Sequence, residues 1–398
     1  MAQQTNVANA SGPLWGGADN GADTTTTARR ALYLKLFSGE MFKGFQHSTI
    51  ARDLVTRRTL KNGKSLQFIY TGRTKAEFHI PGQSILGNDQ KAPPVAEKTI
   101  TVDDLLISSA FVYELDETLS HYDLRGEISR KIGYALAENY DRRIFRAITK
   151  AARQPSPVTM SNYVEPGGSV LKVGDDDSTS KADAYNSDKL VTAFYDAASI
   201  LDEKGVSGDG RVAVLNPRQY YALIQAVNSN GLINRDVQGT ALQSGNGIIE
   251  IAGIKIYKSM NIPFLGKFGT DTGTNTRAKY ASNDNAGSFI GETMDDQDAV
   301  TAPAGNQKTV NNYGTATKFA NSCGLIFQKE AAGVVEAIGP QVQVTSGDVS
   351  VVYQGDVILG RLAMGADFLN PAAAVELVAG IDVSSNFNDT AVSNASFT

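Results

Sequence analysis

The residues best able to do chemistry in this chain are few, and their spacing argues against it. His47, His79 and His121 are scattered with no ligand spacing between them. Zinc sites and His-based triads need such groups to converge, so neither is expected. The only cysteine, Cys323, sits in KFANSCGLIF beside an apolar run. No base accompanies it in the sequence, and it reads as a small buried core residue rather than a nucleophile. A single cysteine also rules out a disulfide within the chain.

The carboxylates are no more promising. Asp103-Asp104 falls in KTITVDDLLISSAFVYELD, which reads as a strand. Neighbours in a strand point to opposite faces and cannot form a catalytic pair. Asp175-Asp176-Asp177 reads as a solvated acidic turn. GTDTGTNTRAKY (269–280) fails the spacing of a calcium loop. GVSGDG (205–210) lacks the Lys-Ser/Thr of a phosphate cradle and reads as a turn. Neither GxxxxGK[ST] nor GxSxG occurs. No cofactor, metal or catalytic residue is expected.

Charge gives one further feature. Arg52, Arg57, Arg58, Lys61 and Lys64 form a basic stretch. It reads either as a solvated face or as an ionic contact with another subunit. Nucleic-acid readout ranks third, because no aromatic residues are interleaved for stacking. The whole chain has 37 basic and 42 acidic residues and a net charge of −5, which argues against a dedicated nucleic-acid binder. No run of about 18 apolar residues occurs, so no membrane partner is expected. MAQQTNVANASG lacks the basic region and apolar core of a signal peptide.

The elements that would carry these residues are unusual in shape. The length of 398 residues suggests two or three units. Residues 1–30 are polar and small, and ALYLKLFSGEMFKGFQ (31–46) is a short amphipathic segment with no core of its own. SLQFIYTG, TKAEFHIPG and the KTITV run read as strands of an extended ribbon of about 45 residues. Such a ribbon is marginal in water and needs a partner surface.

From Glu117 to Ala152 the chain has no proline. Leu124, Ile128, Ile132, Leu136, Tyr140, Ile144 and Ile148 recur every four residues. This predicts a helix of about 35 residues, about 52 Å long, lying as a spine. Beyond it, DKLVTAFYDAASILDEKG reads as a helix, RVAVL as a buried strand, and PRQYYALIQA as a second helix. GIIEIAGIKIYKSMNIP reads as two strands joined near Ala252-Gly253. The alternation predicts a compact α/β domain over about 185–265 plus additions. Residues 266–317 read as a long surface loop, after which strand-like text returns.

Leu-Asn-Pro occurs twice, in RVAVLNPRQYYALI and GADFLNPAAAVELV. Asn is a favoured helix cap and Pro is favoured at the first helical position. Asn216-Pro217 and Asn370-Pro371 therefore read as two structural joints from strand to helix.

LYLKLFSGEMFKGF, GKSLQFIYTGRTKAEFHIPG and KTITVDDLLISSAFVYELDETLSHYDLRGEISRKIGYALA, in this order, resemble the major capsid proteins of T-7-like short-tailed phages, including cyanophages. The GRT turn at Gly72–Thr74 and the HYD–R–E pattern at His121–Glu127 carry the likeness, together with the two Asn-Pro joints. The resemblance implies an α+β HK-97-like capsid fold. It implies an N-arm at 1–55, an E-loop ribbon at 56–100, and a P-domain at 101–184 returning at 318–380. An A-domain at 185–317 would include the surface loop 266–317, and 381–398 would be a polar tail. The implied function is a structural subunit of an icosahedral virion shell. It would form hexamers and pentamers around double-stranded DNA, assembled in the host cytoplasm on a scaffolding protein, with a portal at one vertex. Two other readings stay open on the residues alone: an α/β enzyme, for which no convergent acid–base set is visible, and a virion surface or fibre protein, for which no repeats are visible.

Overall fold

A computed structural model describes residues 49–74, 76, 78–82, 84, 93–113, 124–157, 159–160, 163–175, 181–224, 249–262, 310–313, 319, 321–344 and 354–380. The expected N-arm up to residue 48, most of the 266–317 loop and the tail from 381 lie outside the described residues. The chain divides into two compact units.

The smaller unit contains residues 105–139 and 338–363. In it, β4 (Leu106–Tyr113) pairs antiparallel with β13 (Gly355–Phe368), from Leu106 opposite Leu362 to Tyr113 opposite Gly355. The first turns of helix α1 (Leu124–Arg153) lie against this pair. Ile132 and Leu136, both buried, press on Gly360, where an added methyl would lie 2.9 Å from Leu136 Cδ1. Glycine is thus what lets the helix approach the strand so closely.

The larger unit is built on a six-stranded mixed sheet, in the order β7-β14-β11-β8-β10-β9. These are β7 (Ser169–Lys172), β8 (Arg211–Leu215), β9 (Ile249–Ile251), β10 (Ile254–Lys258), β11 (Ser322–Gln328) and β14 (Ala374–Val378). All five residues of β8 are buried, as a central strand covered on both faces requires. Helix α2 (Ser187–Glu203) buries Leu190, Phe194, Ala197, Ala198 and Leu201, and Gly205 follows it at φ +71°. The β9–β10 hairpin turns on Ala252 (φ 52°) and Gly253 (φ 74°), the left-handed pair that a tight two-residue hairpin demands. The additions to the 185–265 segment are β7, β11 and β14. Two of these fall within 318–380, so the sheet crosses the expected boundary at 317/318.

The same unit holds β1 (Thr56–Thr59), which runs parallel to β12 (Ala332–Val344), and a two-stranded ribbon of β2 (Ser65–Thr71) and β3 (Val95–Thr101). From Tyr140 onward α1 is buried nearly all round, including Asp141, Arg143, Arg146, Lys150 and Arg153. The apolar stripe continues through Tyr140, Ile144 and Ile148, but the opposite face is enclosed too.

Two expectations change, and a third reaches beyond the described residues. Within the described residues the long helix spans Leu124–Arg153; the expected start at Glu117 lies outside them. The KTITV…YELD run is not one strand. It breaks at Val102–Leu105, where Asp103 leaves the ladder and is buried. There it accepts from the backbone of Val310 (2.9 Å) and Asn311 (3.1 Å) and from the Tyr313 hydroxyl (2.7 Å). These donors satisfy a carboxylate that a continuous strand would leave unpaired. Finally, Asn370-Pro371 opens only a three-residue 3-10 turn, after which Ala374–Val378 form β14. All five β14 residues are buried between β11 and β7, and that burial outweighs the helix preference of AAAVEL.

Candidate assembly surfaces

The basic stretch divides by environment. Arg52 reaches Glu336 on β12 with two hydrogen bonds, of 3.1 and 3.0 Å, and Arg57 Nη1 lies 3.7 Å from the same carboxylate. The Tyr140 hydroxyl donates to Glu336 at 2.7 Å. Burial alone would push the Glu336 carboxyl up. The Arg52 guanidinium, the Tyr140 hydroxyl and Arg57 together hold it below its ordinary value. Two of the five cations thus fasten β1 to β12 within the chain. Arg58, Lys61 and Lys64 are exposed, and among the described residues none of the three forms an ion pair. Glu336 lies 284 residues from Arg52, so no local signal in the sequence could have found it. Glu114, Asp116 and Glu117 lie outside the described residues.

The β2–β3 ribbon alternates along its length, with every second residue of β2 exposed. Leu66, Phe68 and Tyr70 share the half-buried face, where Ile100 of β3 is fully buried. The other face presents Ile69, 71 % exposed and opposite Glu97, and Val95, 61 % exposed and opposite Thr71. Beyond β2, Phe78 and Ile80 are exposed as well. Ile69 and Val95 share this face with Gln67, Thr71, Glu97 and Thr99, and a two-stranded element gains stability where such apolar side chains are covered.

The root of the ribbon is fixed by polar contacts. Gly72 N donates to Pro94 O at 2.7 Å, closing the ribbon. Arg73 donates its backbone N–H to buried Glu165, and its guanidinium donates to Lys204 O at the end of α2. Arg73 Nε also lies 3.7 Å from Glu165. Lys204 Nζ donates to Gly167 O at 2.7 Å. Burial lowers this amine to about 8.

Asn216-Pro217 joins β8 to helix α3 (Pro217–Ile224) through a reciprocal pair. Asn216 Oδ1 accepts from Gln219 N at 3.1 Å, and Gln219 Oε1 accepts from Asn216 N at 3.2 Å. This is a capping box with amides in both places. Cys323 is fully buried, its thiol pushed up by burial, and Sγ lies 3.2 Å from Leu377 O; such a group is inert. Among the described residues no cluster of three metal-ligating side chains occurs, and no helix is long and apolar enough to cross a membrane.

Known proteins share this fold. The capsid structure of cyanophage P-SCSP1u aligns with a TM-score of 0.65 at 29 % identity, over 91 % of this chain and 97 % of that one. The mature capsid of bacteriophage PhiM1 aligns with a TM-score of 0.56 at 16 % identity, over 93 % and 97 %. The major capsid protein of Escherichia phage T7 is 24 % identical over 350 residues, 87 % of this chain and 92 % of that protein. That of Enterobacteria phage T3 is 25 % identical over 375 residues, 94 % and 98 %. The fold is the HK-97-like fold of phage capsids, and the protein is a structural subunit of the virion shell. The profile of the Gp10A-like family, described as Major capsid protein, matches residues 67–301, and the chain belongs to that family.

Proposed function

We propose that this capsid subunit forms the hexamers and pentamers of an icosahedral shell enclosing double-stranded DNA. It would assemble in the host cytoplasm on a scaffolding protein, with a portal at one vertex. The observation that carries the reading is the β2–β3 ribbon, with Ile69 and Val95 exposed on one face. A neighbouring copy covers that face, and association supplies the stability a lone ribbon lacks.

On this reading the N-arm is 1–55, the E-loop 56–100, the P-domain 101–184 with 318–380, the A-domain 185–317 and the polar tail 381–398. The six-stranded sheet draws β11 and β14 from the returning segment into the A-domain side of this division. Arg58, Lys61 and Lys64 are the cations available to a neighbour, while Arg52 and Arg57 hold the strand that presents them. The net charge of −5 keeps the shell from adsorbing tightly to the polyanion it stores. Electron microscopy of the purified protein with its scaffold is expected to show closed shells. A compact monomer under all assembly conditions would contradict the reading.

A further inference from the structure

Between β1 and β2 the chain passes through Lys61-Asn62-Gly63-Lys64, and all four residues are exposed. The loop is held at both ends. Leu60 N donates to Glu336 O at 2.8 Å, and Lys64 O accepts from Val102 N at 2.8 Å. Gly63 takes φ +94°, in the left-handed region, and a methyl group placed on it would meet no other atom within 4 Å. Among the described residues, neither the Asn62 side chain nor the Gly63 N–H has a hydrogen-bond partner.

Asparagine before glycine carries both an electrophile and a nucleophile. The side-chain Cγ is placed to close a five-membered ring with the next backbone nitrogen, and glycine presents that nitrogen with no Cβ to obstruct it. Neither residue belongs to a strand, so no ladder hydrogen bond has to break for the attack. Lys61 and Lys64 flank the step and favour the negative charge that develops on the Asn62 amide oxygen.

We propose that Asn62-Gly63 is a site of spontaneous succinimide formation in the unassembled subunit, closed off when a neighbouring copy covers the basic stretch. Gly63 N forms a bond to Asn62 Cγ, the Cγ–Nδ2 bond breaks, and the side-chain nitrogen leaves as ammonia with the proton of the Gly63 N–H. Water then opens the ring. Cleavage between Cγ and the ring nitrogen gives aspartate. Cleavage between the backbone carbonyl carbon and that nitrogen gives isoaspartate, with the main chain rerouted through Cγ. Either product sets a carboxylate between Lys61 and Lys64, two of the three cations available to a neighbour. Isoaspartate also lengthens the chain between the anchored residues Leu60 and Lys64, at the start of the ribbon. The modification stands on this loop alone; its closure rests on the shell reading above.

The test compares full-length subunits with assembled shells, incubated side by side at mildly alkaline pH, digested, and mapped by mass spectrometry with fragmentation that separates aspartate from isoaspartate. Asn-Gly also occurs at 230–231 and 246–247, outside the described residues, so the map is read residue by residue. Unassembled subunits are expected to lose the Asn62 amide progressively, with isoaspartate in excess, and an Asn62→Gln variant to stay unchanged at that position. In shells the loss should be about tenfold slower, the factor that a covering contact of about 1.4 kcal/mol imposes. Retention of the Asn62 amide in folded subunits, under conditions where the urea-unfolded chain loses it, would overturn the site. Equal rates in shells and subunits would overturn the closure and leave the site standing. If no shells form, the shell reading fails, while the subunit measurement still decides the site.

Discussion

Arg153, in the last turn of α1, and Glu376, in the middle of β14, meet through two hydrogen bonds of 2.6 Å, and both side chains are sealed from water. The pair ties the end of the long helix to the six-stranded sheet. Removing one partner strands a buried charge, which costs about 3–5 kcal/mol, whereas replacing both by apolar residues can be nearly neutral. Arg153→Leu is therefore expected to lower unfolding free energy by that amount. Arg153→Leu with Glu376→Leu should recover most of it. Urea unfolding of the unassembled subunit measures both, and a single variant within about 1 kcal/mol of wild type would show that the pair is not a lock.

Asn216 and Gln219 cap α3 reciprocally, and both are buried. Asn216→Ala removes the acceptor for Gln219 N and is expected to cost about 1–2 kcal/mol. The Asn370 side chain accepts from a single N–H, that of Ala372 at 3.2 Å, in a three-residue turn. Asn370→Ala should cost less, in the same unfolding assay. Equal losses would mean that the reciprocal geometry adds nothing.

Two buried carboxylates give opposite pH signatures. Burial pushes Asp141 up to about 7, despite N–H donors from Ile50 and Ala51 at 3.1 and 3.2 Å and a hydrogen bond with the Asn261 side chain. Its folded value exceeds its unfolded one, so its contribution is full at low pH and is lost as pH rises through about 7. Glu336 is held low, so its contribution is present above its ordinary 4.5 and lost as pH falls through the folded value. Wild-type stability should therefore fall by a few kcal/mol at most between about pH 5 and about pH 8, and Asp141→Asn should flatten that slope. Parallel slopes for the two proteins would remove Asp141 as the cause.

Arg58, Lys61 and Lys64 are exposed without ion pairs among the described residues, whereas Arg52 and Arg57 share Glu336. Glu at Arg58 and Lys61 together is expected to impair shell assembly with unchanged circular dichroism of the subunit. Arg52→Ala should instead lower subunit stability, because the buried Glu336 loses its bidentate partner. If the exposed pair tolerates reversal and shells form normally, these cations serve only as a solvated face.

Legibility in the sequence followed the range of the interactions. The helix stripe at Ile132, Leu136, Tyr140, Ile144 and Ile148, the β9–β10 turn at Ala252-Gly253 and the cap at Asn216 are local patterns, and they were readable. The polar half of α1 was not. Asp141, Arg143, Lys150 and Arg153 look like a solvated face, and only distant residues such as Asp103, Asp367 and Glu376 make their burial tolerable. Asp103 misled for the same reason, since Val310, Asn311 and Tyr313, which donate to it, lie more than 200 residues away. The second Leu-Asn-Pro failed where sheet burial overrode the helix preference of its alanines. At the root of the ribbon, the roles of Glu165 and Lys204 depend on Arg73, a residue distant from both in sequence.

The ribbon face is the central element of the account, and one experiment addresses it directly. Wild-type protein and the Ile69→Asp, Val95→Asp double variant are each purified with the scaffold, checked for folding, and imaged by electron microscopy. The account predicts closed shells from the wild type and folded subunits without shells from the variant. Normal shells from the variant, or a wild type that stays a compact monomer under every assembly condition, would contradict it.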